Sequence, residues 1–273
     1  MCCSRGLETM KIYVLGLGFM EMDQSWIAMK PASIRHPNRP AQWARVPVLS
    51  FLITTPAMKI LFDTGCDPLG MSGHWPQVVR SFFSFHGSEE EKIEQRLASL
   101  GLSCEYIDLV VQSHLHYDHA GNIKRFKNAR ILVHRREMSY ALLATHLFPQ
   151  EDFAYSKYDL DGDEVQWELV EDDVEIAHGL EVITLEGHSP GMLGLVLHLK
   201  EAGTIICPGD ALYTRLNYGP PARLPGTVYD SLGFHRTVVK IRRLQAKYNA
   251  RIFYPHDLEQ FEKEMPKPPR FLD

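Results

Sequence analysis

Short runs of β-branched and aliphatic residues recur along the chain, each closed by a turn bearing Gly, Pro, Asp or Ser. Met10–Gly18 reads as an opening strand, and Val48–Thr54 and Lys59–Phe62 read as a hairpin joined through Thr55-Pro56-Ala57. Ile107–Gln112 has the composition of a buried strand, and Ser113–Asn122 after it reads as a loop running into a short helix. Arg130–His134, Val174–Ala177, Glu181–Leu185, Leu193–Leu199, Thr204–Cys207 and Arg251–Tyr254 complete the predicted strands. Helical spacing is confined to fewer segments. Ser88 with Glu91 matches a capping box, which predicts a helix to about Leu100, ended by Gly101. Arg136–His146 and Thr227–Tyr248 carry the other helical patterns, the second with Val228, Leu232, Val239, Ile241 and Leu244 among its apolar positions. Residues 68–87 mix Gly, Ser and aromatics without a clean period and read as a surface loop.

No fixed-period repeat, low-complexity tract or linker divides the chain, so residues 1–273 read as one α/β domain. Residues 1–9 are expected to be a flexible N-terminus, and 265–273, with Pro266, Pro268 and Pro269, an extended tail. Polar residues of metal-binding type fall repeatedly just after predicted strand ends. Loops on a rigid scaffold are where sites are usually built.

Composition narrows the function. With 45% hydrophobic and 23% charged residues the chain is ordinary globular material, which excludes disorder as a description of the whole. A net charge of −5 argues against a dedicated nucleic-acid binder, whose footprint is basic. No run approaches the ~18 apolar residues of a transmembrane helix, and no secretory signal is apparent, so no stable membrane insertion is expected. Five cysteines with no C-x-x-C pair point to unpaired thiols in a reducing compartment, hence a cytoplasmic location.

The chemistry is concentrated in His114-Leu115-His116-Tyr117-Asp118-His119, where four of six residues are metal-ligand types. Neutral imidazole and carboxylate suit Zn²⁺. A turn after a buried strand points His114 and His116 at one ion and Asp118 and His119 at a second. Two ions about 3.5–4 Å apart need a bridging carboxylate and further imidazoles. His188 in Gly-His-Ser-Pro-Gly, Asp210 in Pro-Gly-Asp and His256 in Pro-His-Asp supply them. The remaining eight histidines, among them His74 and His134, lack such context and read as surface or structural residues. Gly16-Leu17-Gly18 lacks the third glycine of a dinucleotide motif.

Together these motifs resemble the signature series of the metallo-β-lactamase superfamily, from the first strand to His256-Asp257. The resemblance implies an αββα four-layer sandwich with two Zn²⁺ at one edge between the sheets; iron, manganese or cobalt could replace the zinc. It also implies that Asp63, in Phe62-Asp63-Thr64-Gly65, orients a metal-ligating histidine. Within the superfamily the chain looks most like the N-acyl-homoserine lactonases. Tyr117 stands where those enzymes have an aromatic, Tyr213 matches their D-x-x-Y tyrosine, and His256-Asp257-Leu258-Glu259-Gln260 resembles their terminal H-D-I-E-Q. Met192 departs from the pattern, standing where many relatives carry a histidine; it is expected to affect packing and not the metals.

The implied activity is opening of a lactone ester bond by a metal-bridging hydroxide, with Tyr213 at the oxyanion, Asp118 as proton shuttle and Tyr117 against the substrate. The partner is then a small lactone, and the protein a monomer or homodimer. Phe82-Phe83-Ser84-Phe85 with Met20, Met22 and Trp26 either line an acyl-chain groove or, the more ordinary reading, fill the core. The rivals are a lactonase for another ring and a thioester hydrolase of the glyoxalase II kind. The latter would use basic residues near the C-terminus, and Lys263, Lys267 and Arg270 there form no recognisable arrangement.

Overall fold

The computed structural model describes residues 9–147, 154–162 and 164–273. Seven strands form one sheet: β1 (Lys11–Asp23), β2 (Trp43–Thr54), β3 (Lys59–Phe62), β4 (Ser84–His86), β5 (Leu109–Val111), β6 (Arg130–His134) and β7 (Gln166–Val170). Five form the other: β8 (Val174–Ala177), β9 (Leu180–Leu185), β10 (Met192–Leu199), β11 (Gly203–Cys207) and β12 (Arg251–Ile252). Their orders are β4-β1-β2-β3-β5-β6-β7 and β12-β11-β10-β9-β8.

Alternation along the strands builds the layers. Leu109 and Val111 of β5 face the other sheet while Val110 faces outward; Ile205 and Cys207 of β11 face inward and Ile206 outward. Strands buried on both faces read as continuous apolar runs, which is the pattern these segments carry. Between the sheets, Phe51, Phe62 and Leu132 pack with Val182, Leu195 and Leu197. On the outer face of the first sheet, Leu61, Val110 and Ile131 meet Ile93 and Leu97 of the helix Ile93–Ala98 and Ala141 of the helix Arg135–Leu147. On the outer face of the second, Ile183, Val196 and Ile206 meet Phe234, Val238 and Ile241 of the helix Ser231–Tyr248. The layering is αββα.

Strand direction then gathers the site. β1, β2 and β3 are antiparallel, but β3, β5, β6 and β7 run parallel, so Asp63, the histidine string and the helix after β6 all leave at one edge. β11 and β12 are also parallel to each other, and deliver Asp210 and His256 from the second sheet.

Several expectations change. Residues 68–87 are not a surface loop: they hold the helix Gln77–Phe82 and β4, which pairs with Phe19–Glu21 of β1, and Trp75, Val79 and Phe83 are buried. Their aromatics anchor the segment in the core and set no strand or helix period. The capping box at Ser88 exists, but it caps only the short turn Glu89–Glu91; Lys92 is extended (ψ 143°) and restarts the chain as the helix Ile93–Ala98. The break swings Ile93 and Leu97 onto the sheet. The long C-terminal helix begins at Ser231, where the Asp230 carboxylate caps it, and not at Thr227. β7 and the helix Leu258–Lys263 carry no signal that was read in the sequence. Leu272 exchanges both backbone hydrogen bonds with Ile12 of β1. The expected flexible N-terminus lies, except for Thr9, outside the described residues. Among the described residues no helix is long and apolar enough to cross a membrane.

Candidate metal centre

The histidine string follows β5 and closes into a single helical turn, Tyr117–Ala120, with His116 in extended conformation at its N-cap. The turn is stitched to the end of β3. The Thr64 N–H and hydroxyl both donate to the His119 carbonyl (2.7 and 2.8 Å), and the Gly121 N–H donates to the Gly65 carbonyl (2.8 Å). Asp63 adopts φ 63°, a left-handed conformation costly for a residue with a side chain. Its carboxylate is held there by the Ser113 N–H (2.7 Å), the Ser113 hydroxyl (2.8 Å) and His119 Nδ1 (2.8 Å). Gly209, at φ 53°, lets the Pro-Gly-Asp turn close on the string: a Cβ there would stand 2.8 Å from that of Ser113.

Seven side chains converge in two sets. His114, His116 and His188 form one; Asp118, His119, Asp210 and His256 form the other, and within each set the ligand atoms lie within 4.8 Å of one another. His188 Nε2 is 3.1 Å from His114 Nε2 and 2.9 Å from His116 Nδ1. Asp210 stands between the sets. Its Oδ1 lies 3.2 Å from His119 Nε2 and 3.1 Å from His256 Nε2, while its Oδ2 lies 3.6 Å from His188 Nε2 and 3.9 Å from His114 Nε2. Asp118 Oδ2 is 3.6 Å from His119 Nε2 and 3.7 Å from His256 Nε2.

The outward imidazole nitrogens are engaged: His119 Nδ1 with Asp63, His188 Nδ1 with the Thr227 carbonyl (3.1 Å), His256 Nδ1 with the Pro47 carbonyl (2.9 Å) and His114 Nδ1 with the Ser113 hydroxyl (2.9 Å). Such outer partners fix ring orientation and leave the inward nitrogen free to ligate. Burial keeps His114, His116 and His188 below the ordinary imidazole value, hence neutral, as ligands must be. Burial also opposes charge on His119, but Asp210, Asp118 and Asp63 outweigh it and push that imidazole up. Burial opposes the Asp210 charge too, yet His119 and His256 hold its carboxyl well below the usual range.

These observations test whether a metal fits. His119 Nε2 and Asp210 Oδ1 are buried without a hydrogen-bond partner, and neutral imidazole nitrogens face each other at hydrogen-bond distance. Buried polar atoms are normally satisfied. Five imidazoles and two carboxylates converging in this way are a donor set for divalent metal ions.

Around the sets stand the aromatic residues. Tyr213 follows the turn Gly209–Leu212, its ring centroid 5.2 Å from those of His188 and His256 and its hydroxyl 3.3 Å from His188 Nδ1. Burial, reinforced by Asp210 and Asp118, raises the phenol well above its usual value, so it remains a donor. Tyr117 is buried against Trp75 and Phe83, with ring centroids 4.6 and 6.0 Å away. A narrow cleft is lined by Tyr117, Asp118, Tyr213 and His256 together with Met20, Met22, Trp26 and Phe83. The groove and core readings of those apolar residues therefore meet: Met20, Met22 and Phe83 are buried and also line the cleft.

Sequence reasoning missed the supports. Ser113 and Thr227 gave no signal of their own. Glu137 lay inside a predicted helix, yet it is fully buried, and burial raises its carboxyl above the usual range. A glutamate in the first turn of a helix that leaves a buried strand was the one available clue. Of the other histidines, His74 pairs with Asp67 and stacks on Tyr158, and His134 accepts the Arg136 N–H.

Comparison with known proteins places this geometry. The sequence profile of the metallo-β-lactamase superfamily matches residues 43–256. The chain belongs to that superfamily. Within the superfamily it resembles the N-acyl homoserine lactonases: it is 35% identical to AiiB of Agrobacterium fabrum, over 92% of this chain and 95% of that one. It is 25% identical to AiiA of Bacillus thuringiensis subsp. kurstaki over 92% of this chain. Among solved structures, an N-acyl homoserine lactone hydrolase with N-hexanoyl-L-homoserine at its catalytic metal centre superposes with a TM-score of 0.83 at 25% identity, covering 96% of this chain and 99% of that one.

Proposed function

We propose that this metal-dependent hydrolase opens N-acyl-homoserine lactones at a dinuclear site. The observation that carries the reading is Asp210, with one oxygen toward each of two ligand sets, whose His116, Asp118 and His256 line a cleft with apolar walls. The first ion is assigned to His114, His116 and His188, the second to Asp118, His119 and His256, and Asp210 is shared. Two Zn²⁺ suit these donors, and iron, manganese or cobalt would be accepted by the same set. When bound, such ions supply Lewis acidity and a water acidic enough to be a nucleophile near neutral pH.

The chain does the rest. The Tyr213 hydroxyl donates to the carbonyl oxygen as negative charge develops on it, an interaction strengthened by burial. The partly buried Asp118 carboxylate takes up the proton released by the attacking water and passes it to the leaving alkoxide. Tyr117 walls the lactone ring, and Met20, Met22, Trp26 and Phe83 take the acyl chain. The unpaired Cys66, Cys104 and Cys207 agree with a reducing, cytoplasmic setting.

Hydrolysis of an N-acyl-homoserine lactone, a thioester and a phosphodiester by metal-loaded protein tests the assignment. The lactone should be preferred; a thioester preferred by orders of magnitude would replace this reading with a glyoxalase-type one.

A further inference from the structure

One carboxylate outside the ligand sets touches both loops that carry the three-histidine site. Glu137 sits in the first turn of the helix Arg135–Leu147 and is fully buried. Its Oε1 accepts the Leu115 N–H (3.0 Å), the peptide between His114 and His116, and the Tyr155 hydroxyl (2.9 Å). Its Oε2 accepts the Gly191 N–H (3.2 Å), three residues beyond His188. Tyr155 in turn lays its ring on His116, centroid to centroid 4.7 Å and nearly perpendicular at 79°. All three members of one set are thus reached from a single carboxylate: His114 and His116 through their shared neighbour, His116 again through Tyr155, and His188 through its loop. Among the described residues, none of these hydrogen bonds goes to the loops of Asp210 or His256.

We propose that Glu137 is the positioning residue of the three-histidine metal site, fixing the string and the Gly-His-Ser-Pro-Gly loop at ligating distance from each other. It touches neither substrate nor ligand nitrogen and acts through backbone and Tyr155. The proposal rests on the dinuclear reading above. The backbone joins the two segments directly through the Leu193 N–H, which donates to the Ser113 carbonyl (2.7 Å), and the buried carboxylate ties Leu115 and Gly191 beyond that point, with Tyr155 as its third donor. Its removal leaves those donors buried and unsatisfied, a cost that falls on the loop positions first.

The test is Zn²⁺ titration of metal-free wild type and Glu137→Gln, with a chelator of known affinity in competition, beside the melting temperature of the metal-free proteins. Partners of ligand-bearing groups are worth roughly 10–100-fold in metal affinity. Glu137→Gln should weaken one of two sites by that factor, leave the other within about threefold, and be partly rescued by Glu137→Asp. Equal weakening of both sites, or unchanged binding with only a lower melting temperature, would overturn the proposal in favour of a general structural role. Should Glu137→Gln not fold, Glu137→Asp carries the same comparison, and failure of both to fold would overturn it likewise. Wild type binding fewer than two ions would instead overturn the dinuclear reading.

Discussion

His119 Nδ1 lies 2.8 Å from an oxygen of Asp63, a residue that itself holds a left-handed backbone conformation at φ 63°. The strained residue and the ring it steers come from adjacent parallel strands, β3 and β5. The conformation turns the carboxylate back across the sheet edge, where Ser113 and His119 both reach it. Asn tolerates the same backbone region, so Asp63→Asn separates the hydrogen bond from the strain. The variant should keep the melting temperature of its metal-free form while its affinity at one metal site falls roughly 10–100-fold. Chelator competition measures both sites; equal affinities in variant and wild type would make Asp63 a backbone residue only.

Tyr213→Phe removes one hydroxyl and leaves the ring between His188 and His256. Loss of an oxyanion donor costs up to ~10²–10³ in rate, and a metal sharing that task should reduce the loss to about 10-fold. Metal content should be unchanged. Unaltered lactone kinetics would leave Tyr213 a packing residue.

Much of this was legible in the sequence. β3, β6 and β8 match their predicted spans, because each is a short apolar or alternating run with clear turn residues at its ends. The metal-type residues were legible for a related reason: imidazoles and carboxylates packed into six positions beside a buried strand have few other uses. What was not legible depends on partners distant in the chain. Lys92 breaks a well-capped helix only because the sheet claims Ile93 and Leu97. Residues 68–87 find their structure by anchoring Trp75 and Phe83 in the core, and aromatic burial has no period. Glu137 acts through backbone N–H groups of other loops and Thr227 through its own carbonyl on the His188 ring, roles that no local pattern encodes.

Met22 lines the cleft from β1. Each buried methylene is worth about 0.8 kcal/mol, near fourfold in binding, so truncating one wall should act on long chains before short ones. Met22→Ala should raise KM for a ten-carbon acyl substrate by roughly an order of magnitude and leave a four-carbon one within about twofold. Equal effects on both would put the acyl chain elsewhere.

Asp159 is buried, neither of its oxygens has a hydrogen-bond partner, and burial together with Asp67 pushes its carboxyl up to about 8 against the pull of Lys124. The native state therefore holds this proton more tightly than the unfolded chain, where the group titrates near ~3.9. The resulting stability is fully present below that unfolded value and is lost as pH rises through about 8. Asp159→Asn is neutral at every pH. Its melting temperature should match wild type near pH 4, exceed it increasingly up to about pH 8 and level off above that; parallel curves would mean that Asp159 is not protonated in the native state.

Metal titration followed by lactone turnover tests the central claim most directly. Protein stripped of metal should open an N-acyl-homoserine lactone at background rate. On addition of Zn²⁺ the rate should rise and level off near two equivalents per chain, with Asp210→Ala failing to respond. Turnover undiminished in verified metal-free protein, or none at two bound equivalents, would contradict the account.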